Sequence, residues 1–495
     1  MSERTHHHVI VVGTGFAGLG MAIRLRQESM TDFVVLERAG DVGGTWRDNG
    51  YPGCACDVPS HLYSFSFELN PAWSRSFSSR QEIWDYLRHC TDRYGVRPHI
   101  RFHHEVLDAA WDHEQRRWRV RTSRGELTSD VLVTGTGALS DPAIPDIPGL
   151  DSFRGAVFHS AQWDHDYDLR GRRVAVVGTG ASAIQFVPQI QPVVDSLTVF
   201  QRTPPWILPR NDRDNSAVEH KLYRAVPGLQ RLTRAGIYWA RELAVPGFTN
   251  NPRLLKVAEL IARRHLRRHV PDPALRAKLT PDYAIGCKRI LLSSDYLPAL
   301  AKSNVDFVAS GVAEAGPDWV RAADGARREV DAVIFGTGFH VTDMPVAARI
   351  RGRHGRTLAE QWSEGAQAHR GTTVAGFPNL FILVGPNTGL GHTSMIYMIE
   401  SQVAYTVAAL RYLRRSGATA VEVRPQAQSA YNDAVQSRMD RTVWNAGGCV
   451  SWYLDAQGRN TTLWPTFTWR FRRATRTFQP AEYTVYEQVT EPATA

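Results

Sequence analysis

The chain has 495 residues, enough for two or three domains each with its own core, and its apolar (43%), charged (22%) and aromatic (10%) fractions are those of a folded globular protein. No apolar stretch approaches the roughly 20 residues a bilayer-spanning helix needs, and no secretory signal precedes the first strand, so a cytoplasmic location without a membrane partner is expected. The net charge of +9 raises the question of nucleic acid; however, the densest basic run, Arg263-Arg264-His265-Leu266-Arg267-Arg268, lacks interleaved aromatics and reads as a solvated helix face.

In chain order, His6-His7-His8 comes first. Three consecutive strand side chains cannot all face one ion, so the trio reads as a solvated lead-in and no metal site is expected. Val9–Val12 then forms an apolar strand running into Gly13-Thr14-Gly15-Phe16-Ala17-Gly18. The first glycine of such a turn permits a tight strand-to-helix connection, the second lets backbone approach a pyrophosphate, and the third lets helix and strand pack. A helix is expected near Phe16–Glu28, then a strand at Phe33–Leu36 ending in Glu37, whose carboxylate stands where an adenosine ribose donates hydrogen bonds. FAD has no 2′-phosphate, so an acid there suits FAD.

A strand at Asp130–Thr134 leads into Gly135-Thr136-Gly137, and the proline-rich loop Asp141–Gly149 marks a domain boundary or crossover. Val174–Val177 followed by Gly178-Thr179-Gly180-Ala181-Ser182-Ala183 repeats the fingerprint, with Ser182 and Ala183 opening its helix. The next strand ends in Gln201-Arg202-Thr203. A guanidinium beside a hydroxyl suits a 2′-phosphate, which favours NADPH over NADH. Two fingerprints in strand-to-helix context imply two dinucleotides, hence a flavin enzyme fed by a nicotinamide.

Residues 217–278 read as a basic helical insertion. Strands at Ala332–Phe335, running into Gly336-Thr337-Gly338-Phe339, and at Leu380–Val384, running into Gly385-Pro386-Asn387, precede a helix near Ser394–Leu413 and are expected to return the chain to the first domain. The fold class is therefore α/β, with two doubly wound, Rossmann-like domains. A discontinuous FAD-binding domain (1–150 and 331–495) holds an inserted NADP-binding domain (151–330) that includes the helical insertion, about 213–280. Five cysteines without a CxxC exclude the dithiol of a disulfide reductase and a zinc-type spacing; they are expected to be reduced thiols.

Between the fingerprints lies Phe153-Arg-Gly155-Ala-Val-Phe-His159-Ser-Ala-Gln-Trp163-Asp164, a match to FxGxxxHxxxW followed by Pro or Asp. Ahead of it, Gly43-Gly44-Thr45-Trp46, Tyr51-Pro52-Gly53 and Asp57 fit [A/G]GxWxxxx[F/Y]P[G/M]xxxD. On these two motifs the chain resembles the type I flavin-dependent Baeyer–Villiger monooxygenases. The resemblance implies an enzyme that uses FAD, NADPH and O2 to convert a small ketone to an ester or lactone, through a flavin peroxide and a Criegee adduct. It implies that Arg289, in Cys287-Lys288-Arg289, stabilises the developing anion and that Asp57 aims it. His159 and Gly155 would sit in the interdomain linker, and Trp452 of Ser451-Trp452-Tyr453 on a loop reaching the bound NADP. The implied cofactor-binding set is Gly13, Gly15, Phe16, Gly18, Glu37, Gly44, Thr45, Trp46, Asp57, Gly178, Gly180, Ser182, Ala183, Arg202, Thr203, Gly338, Phe339 and Asn387. Beyond Trp452 the chain departs from the family, with Gly458-Arg459-Asn460 and no PGK. A flavin N- or S-oxygenase and an NADPH-dependent reductase without oxygen insertion are the alternatives.

Overall fold

Alternation along Val9–Val12 decides how the first sheet is covered. In the computed structural model, which describes residues 4–342 and 344–487, Val9 and Val11 join one core while Ile10 and Val12 join another. Period-two pleating sends neighbours to opposite faces, and here both faces are buried. These residues lie in β1 (His6–Val12), followed by α1 (Phe16–Gln27) and β2 (Phe33–Leu36). The helical turn α2 (Thr45–Asp48), α3 (Arg80–Arg93), and strands β3 (Ile100–Arg101), β4 (Val106–Asp112), β5 (Arg117–Thr122) and β6 (Gly125–Thr134) follow.

Strands β3, β2, β1 and β6 run parallel in that order. α1 covers one face, while the antiparallel β4–β5 hairpin, through Trp111, Trp118 and Val120, covers the other. His6–His8 belong to β1. His6 Nδ1 lies 2.9 Å from Thr128 Oγ1 and His8 Nδ1 2.8 Å from Asp130 Oδ2, both on β6, so the half-buried trio is part of the strand and not a solvated lead-in.

The second sheet repeats the plan. β7 (Ala156–His159), β8 (Arg173–Val177), α4 (Ala183–Ile190) and β9 (Ser196–Phe200) lead to β10 (Ile207–Leu208). Helices α5 (Ala217–Ala225), α6 (Pro227–Glu242), α7 (Val245–Thr249), α8 (Lys256–His269) and α9 (Pro273–Lys278) form the insertion expected from sequence. Then come β11 (Leu291–Leu292), β12 (Val305–Val308), the meander β13 (Val312–Gly316), β14 (Trp319–Ala322), β15 (Arg327–Glu329), and β16 (Ala332–Phe335). The parallel order is β12-β9-β8-β16-β7. Val174 and Val176 pack under α4, and Ala175 and Val177 under the meander.

β16 thus corrects one expectation. Ala332–Phe335 pair with Val174–Val177 and with Ala156–His159, so this strand completes the second sheet instead of returning to the first. Four buried apolar residues before a glycine turn carry no mark of which sheet they join. The return comes with β17 (Ile350–Arg351) on β4 and β18 (Leu380–Ile382) on β6. The two connections between sheets pair as they pass: Ala143 N donates to Gly338 O and His340 N to Asp141 O, each at 3.0 Å. The long helix Met395–Ser416 then packs with α1 on the first sheet.

Candidate active site

The first glycine turn is shaped by contacts that a side chain would destroy. Gly13 has φ +95°, and a Cβ on Gly18 would lie 1.9 Å from the Gly13 carbonyl oxygen. Gly15 caps α1 without any side-chain hydrogen bond, which leaves the N-terminal N–H groups free for an anion. A cavity of about 360 Å³ opens there, at the carboxyl ends of β1, β2 and β6. Of the expected residues, Gly13, Gly15, Phe16, Glu37, Gly44, Thr45 and Trp46 line it. Gly44 (φ +51°) faces Gly15 so closely that a Cβ on Gly44 would lie 3.0 Å from the Gly15 Cα, leaving a cradle walled by backbone. Glu37 is buried; it accepts from Thr14 N (3.1 Å), Thr14 Oγ1 and Ala39 N (2.9 Å), and pairs with Arg47 at 3.1 Å. Trp46 Nε1 donates to Tyr63 Oη, also on the cavity wall. A backbone cradle at a helix N-terminus with a buried acid at the second strand fits FAD.

One side chain in this cavity comes from far along the chain. Arg289 lies just ahead of β11, which pairs in parallel with β10. Its Nε and Nη2 donate to Asp57 Oδ2 at 3.0 and 2.5 Å. Arg289 lines the cavity; Asp57 does not, and holds the guanidinium from behind. About one-third of the arginine side chain and one-quarter of the aspartate remain exposed (33% and 26%). Burial pushes the Asp57 carboxyl up, but the charge and hydrogen bonds of Arg289, with help from Arg241 on α6, outweigh it and hold the group below its usual range. The Asp57 charge raises Arg289 further above an ordinary arginine.

Sequence reasoning missed two neighbours of this pair. Arg241 interacts electrostatically with both partners, and burial lowers it. Tyr453 is buried, and burial pushes its phenol up to about 12 while Arg289 draws it back; its hydroxyl has no hydrogen-bond partner among the described residues. Neither lies near the pair in sequence, so no local pattern marks them.

The cysteine expectation is corrected. Cys287 and Cys449 form a disulfide, 162 residues apart, with a Cα–Cα distance of 6.2 Å. Cys54, Cys56 and Cys90 are free and buried. Spacing could not show the pairing because the geometry is set by tertiary structure. The bridge joins the segment carrying Arg289 to the loop carrying Trp452, which is 46% exposed and lines the cavity.

The second glycine turn has the same construction. Gly178 has φ +103°, and a Cβ on it would lie 2.5 Å from Gly336 O. Ser182 precedes α4 without a side-chain cap bond, and Ala183 takes the third small position against Gly336. Gly180, Arg202 and Thr203 are exposed. Lys288, not singled out from sequence, is lowered by burial and by the nearby Arg202 charge, which places two cations together beyond β9. These residues lie outside the first cavity. Gly338 and Phe339 sit in the paired interdomain connection, with the Phe339 ring edge-on to His159 at 5.7 Å. His159 is buried, and burial lowers it to about 4, a neutral structural imidazole. Asn387 turns its amide away from the cavity and donates to Asn460 O and Leu463 O.

Two parallel sheets, each with a glycine turn before an uncapped helix N-terminus, define an oxidoreductase that handles two dinucleotides. Residues 10–219 match the pyridine nucleotide-disulphide oxidoreductase family model. Over its full length the chain is 61% identical to a Baeyer–Villiger monooxygenase of Streptomyces coelicolor, covering 95% of that protein. Over 97% of its length it is 52% identical to a Baeyer–Villiger monooxygenase of Pseudomonas aeruginosa, covering 91% of that one. The structure matches cyclohexanone monooxygenase from Rhodococcus sp. Phi1 bound to NADP+ with a TM-score of 0.88 at 26% identity, covering 98% of this chain and all of the other. The chain belongs to the Baeyer–Villiger monooxygenases, enzymes that use FAD and NADPH to insert oxygen beside a ketone carbonyl.

Proposed function

We propose that Arg289 is the cation around which this chain's oxygenation is organised, with Asp57 as the group that positions it. The overall reaction takes a ketone, O2, NADPH and a proton to an ester or lactone, NADP+ and water. In our reading the first sheet holds the flavin and the second the nicotinamide, with Arg202, Thr203 and Lys288 taking the 2′-phosphate. The flavin, once reduced by the nicotinamide, supplies the chemistry that activates O2.

The chain's own contributions are charge, orientation and exclusion of water. A guanidinium keeps its proton at any working pH, so it can hold negative charge on a neighbouring oxygen without protonating it. Asp57 accepts two of its N–H groups on one oxygen and leaves the rest of the fork free toward the cavity. Such a preorganised donor is worth most when charge develops on the reacting oxygen. Trp452, on the cavity wall and tied through the Cys287–Cys449 bridge to the Arg289 segment, limits solvent access in this reading. The ketone itself is held by a pocket whose selectivity neither fold nor motif specifies.

The observation that carries this reading is Arg289 in the wall of the cavity at the first glycine turn, held from behind by Asp57. Arg289→Ala tests it. NADPH should still bleach the flavin, while ester formation is abolished and oxygen is returned as H2O2. Ester formation near the wild-type rate would refute the role.

A further inference from the structure

The helical insertion carries a surface that the catalytic reading does not use. On α6, Leu232, Trp239 and Leu243 recur at helical spacing with 70%, 56% and 80% of their surface exposed. From Leu254, in the turn just ahead of α8, through Val257, Ile261, Arg264 and Arg268 on α8, exposed residues follow at three- and four-residue intervals, flanked by Leu260. Val257 and Leu260 are 66% and 64% exposed. The short helix α7 lies between them: a Cβ on Gly247, four residues after Leu243, would lie 3.6 Å from the Leu254 Cβ. Single exposed apolar residues need no explanation, but two outward stripes on successive helices do.

Charge is concentrated in the same segment. Residues 217–270 hold eleven Lys and Arg against three acids, a surplus of eight out of the chain's nine net positive charges. All three acids are committed: Glu242 is buried with His392, and Glu219 pairs with Arg213. Glu259 pairs with Arg263. Among the described residues, Arg253, Lys256, Arg264, Arg267 and Arg268 form no ion pair.

We propose that this face of the insertion docks on an anionic lipid surface. Exposed leucines and a tryptophan beside unpaired arginines, on a helix with one polar and one apolar region, are the features of an interfacial helix that lies on a bilayer without crossing it. Among the described residues no helix is long and apolar enough to cross a membrane. A second copy of the chain fits the face poorly, because two-fold pairing would set the same basic patch against itself. Nucleic acid would use the arginines and leave the leucines in water. The docking also has a geometric consequence: α6 carries Trp239 and Leu243 outward and, between them, Arg241 toward Asp57 and Arg289. One helix thus connects the docking surface with the neighbourhood of the catalytic pair. The docking itself does not depend on the oxygenation reading.

The test is cosedimentation of the FAD-loaded enzyme with vesicles of phosphatidylcholine alone and of phosphatidylcholine mixed with phosphatidylglycerol. The enzyme should pellet with the mixed vesicles at low salt, stay in solution with phosphatidylcholine, and be released as salt rises. Arg264→Glu with Arg268→Glu should lower partitioning by at least about ten-fold, and Val257→Glu with Leu260→Glu should also lower it. Turnover of a water-soluble ketone should be unchanged in both. Failure to pellet with mixed vesicles overturns the proposal, as does equal pelleting of wild type and variants. A dimer that these variants dissolve, and that mixed vesicles do not displace, would assign the face to a second copy and overturn it too.

Discussion

Asp57→Asn separates the two things the Asp57 carboxylate does, balancing charge and aiming the guanidinium. The substitution keeps the side-chain shape and removes the negative charge, leaving a neutral amide where Oδ2 now accepts two charge-assisted hydrogen bonds, at 3.0 and 2.5 Å. A fully exposed pair of this kind contributes about 0–1 kcal/mol, and a fully buried one about 3–5 kcal/mol when one partner is lost. With a quarter to a third of each side chain exposed, this pair falls between, at about 1–3 kcal/mol. Expressed as lost transition-state stabilisation, that is about ten- to hundred-fold in the rate of ester formation. Arg289 stays charged in the variant, so the loss measures aim. Ester by gas chromatography, H2O2 by a peroxidase-coupled dye and NADPH by absorbance give the coupling directly. NADPH should still be consumed, with a larger share of its electrons appearing as H2O2. The wild-type pH profile follows from the same carboxylate. Asp57 is held below its unfolded value of about 3.9. Its contribution is therefore complete above that value and lost only as pH falls through the lower, folded one. Coupling in the wild type should be flat through neutral pH and fail only in strong acid. Near wild-type coupling in Asp57→Asn would refute the positioning role.

Arg202→Ala and Lys288→Ala should each raise KM for NADPH by about ten-fold or more, the usual worth of a charge-assisted hydrogen bond, with little change for NADH; equal effects on both nucleotides would remove the 2′-phosphate assignment. Cys449→Ser should cost up to about 5 kcal/mol of stability, because the bridge closes a 162-residue loop. It should also raise the H2O2 share by freeing the Trp452 loop. Thiol titration of the denatured, unreduced chain should count three thiols, and five from the start would mean that no bridge forms.

Local grammar made the first half of each nucleotide unit legible. Val9–Val12, Gly13, Gly18 and Phe33–Leu36 are written by period-two burial and by positions where only glycine fits, so strand, turn and helix fall where the residues place them. The motif residues Asp57 and Arg289, 232 positions apart, meet as the resemblance implies. What stayed hidden depends on which surfaces meet. Ala332–Phe335 would fill either sheet equally well. Arg241 and Tyr453 are ordinary residues until α6 and the Trp452 loop fold against the catalytic pair. Asn387, in a glycine-proline turn that reads as cofactor-binding, spends its amide on the segment at Asn460–Leu463.

If the Arg289–Asp57 pair acts as proposed, its position makes the arrangement of the two sheets part of the chemistry. In each sheet one face is covered by helix and the other by an antiparallel meander, so the strand ends with their glycine turns are the edges left for nucleotides. Asp57 follows the first glycine turn; Arg289 arrives only after the chain has passed through β9 and the helical insertion. Their hydrogen bonds therefore cross between the two units. Any movement that draws the second unit away takes the guanidinium out of the flavin cavity and leaves Asp57 without its nearest counter-charge. The Cys287–Cys449 bridge makes Trp452 travel with the same segment. Cation and cover thus reach the flavin together or not at all. In the proposed reading, closing on the nicotinamide and presenting Arg289 would be one event.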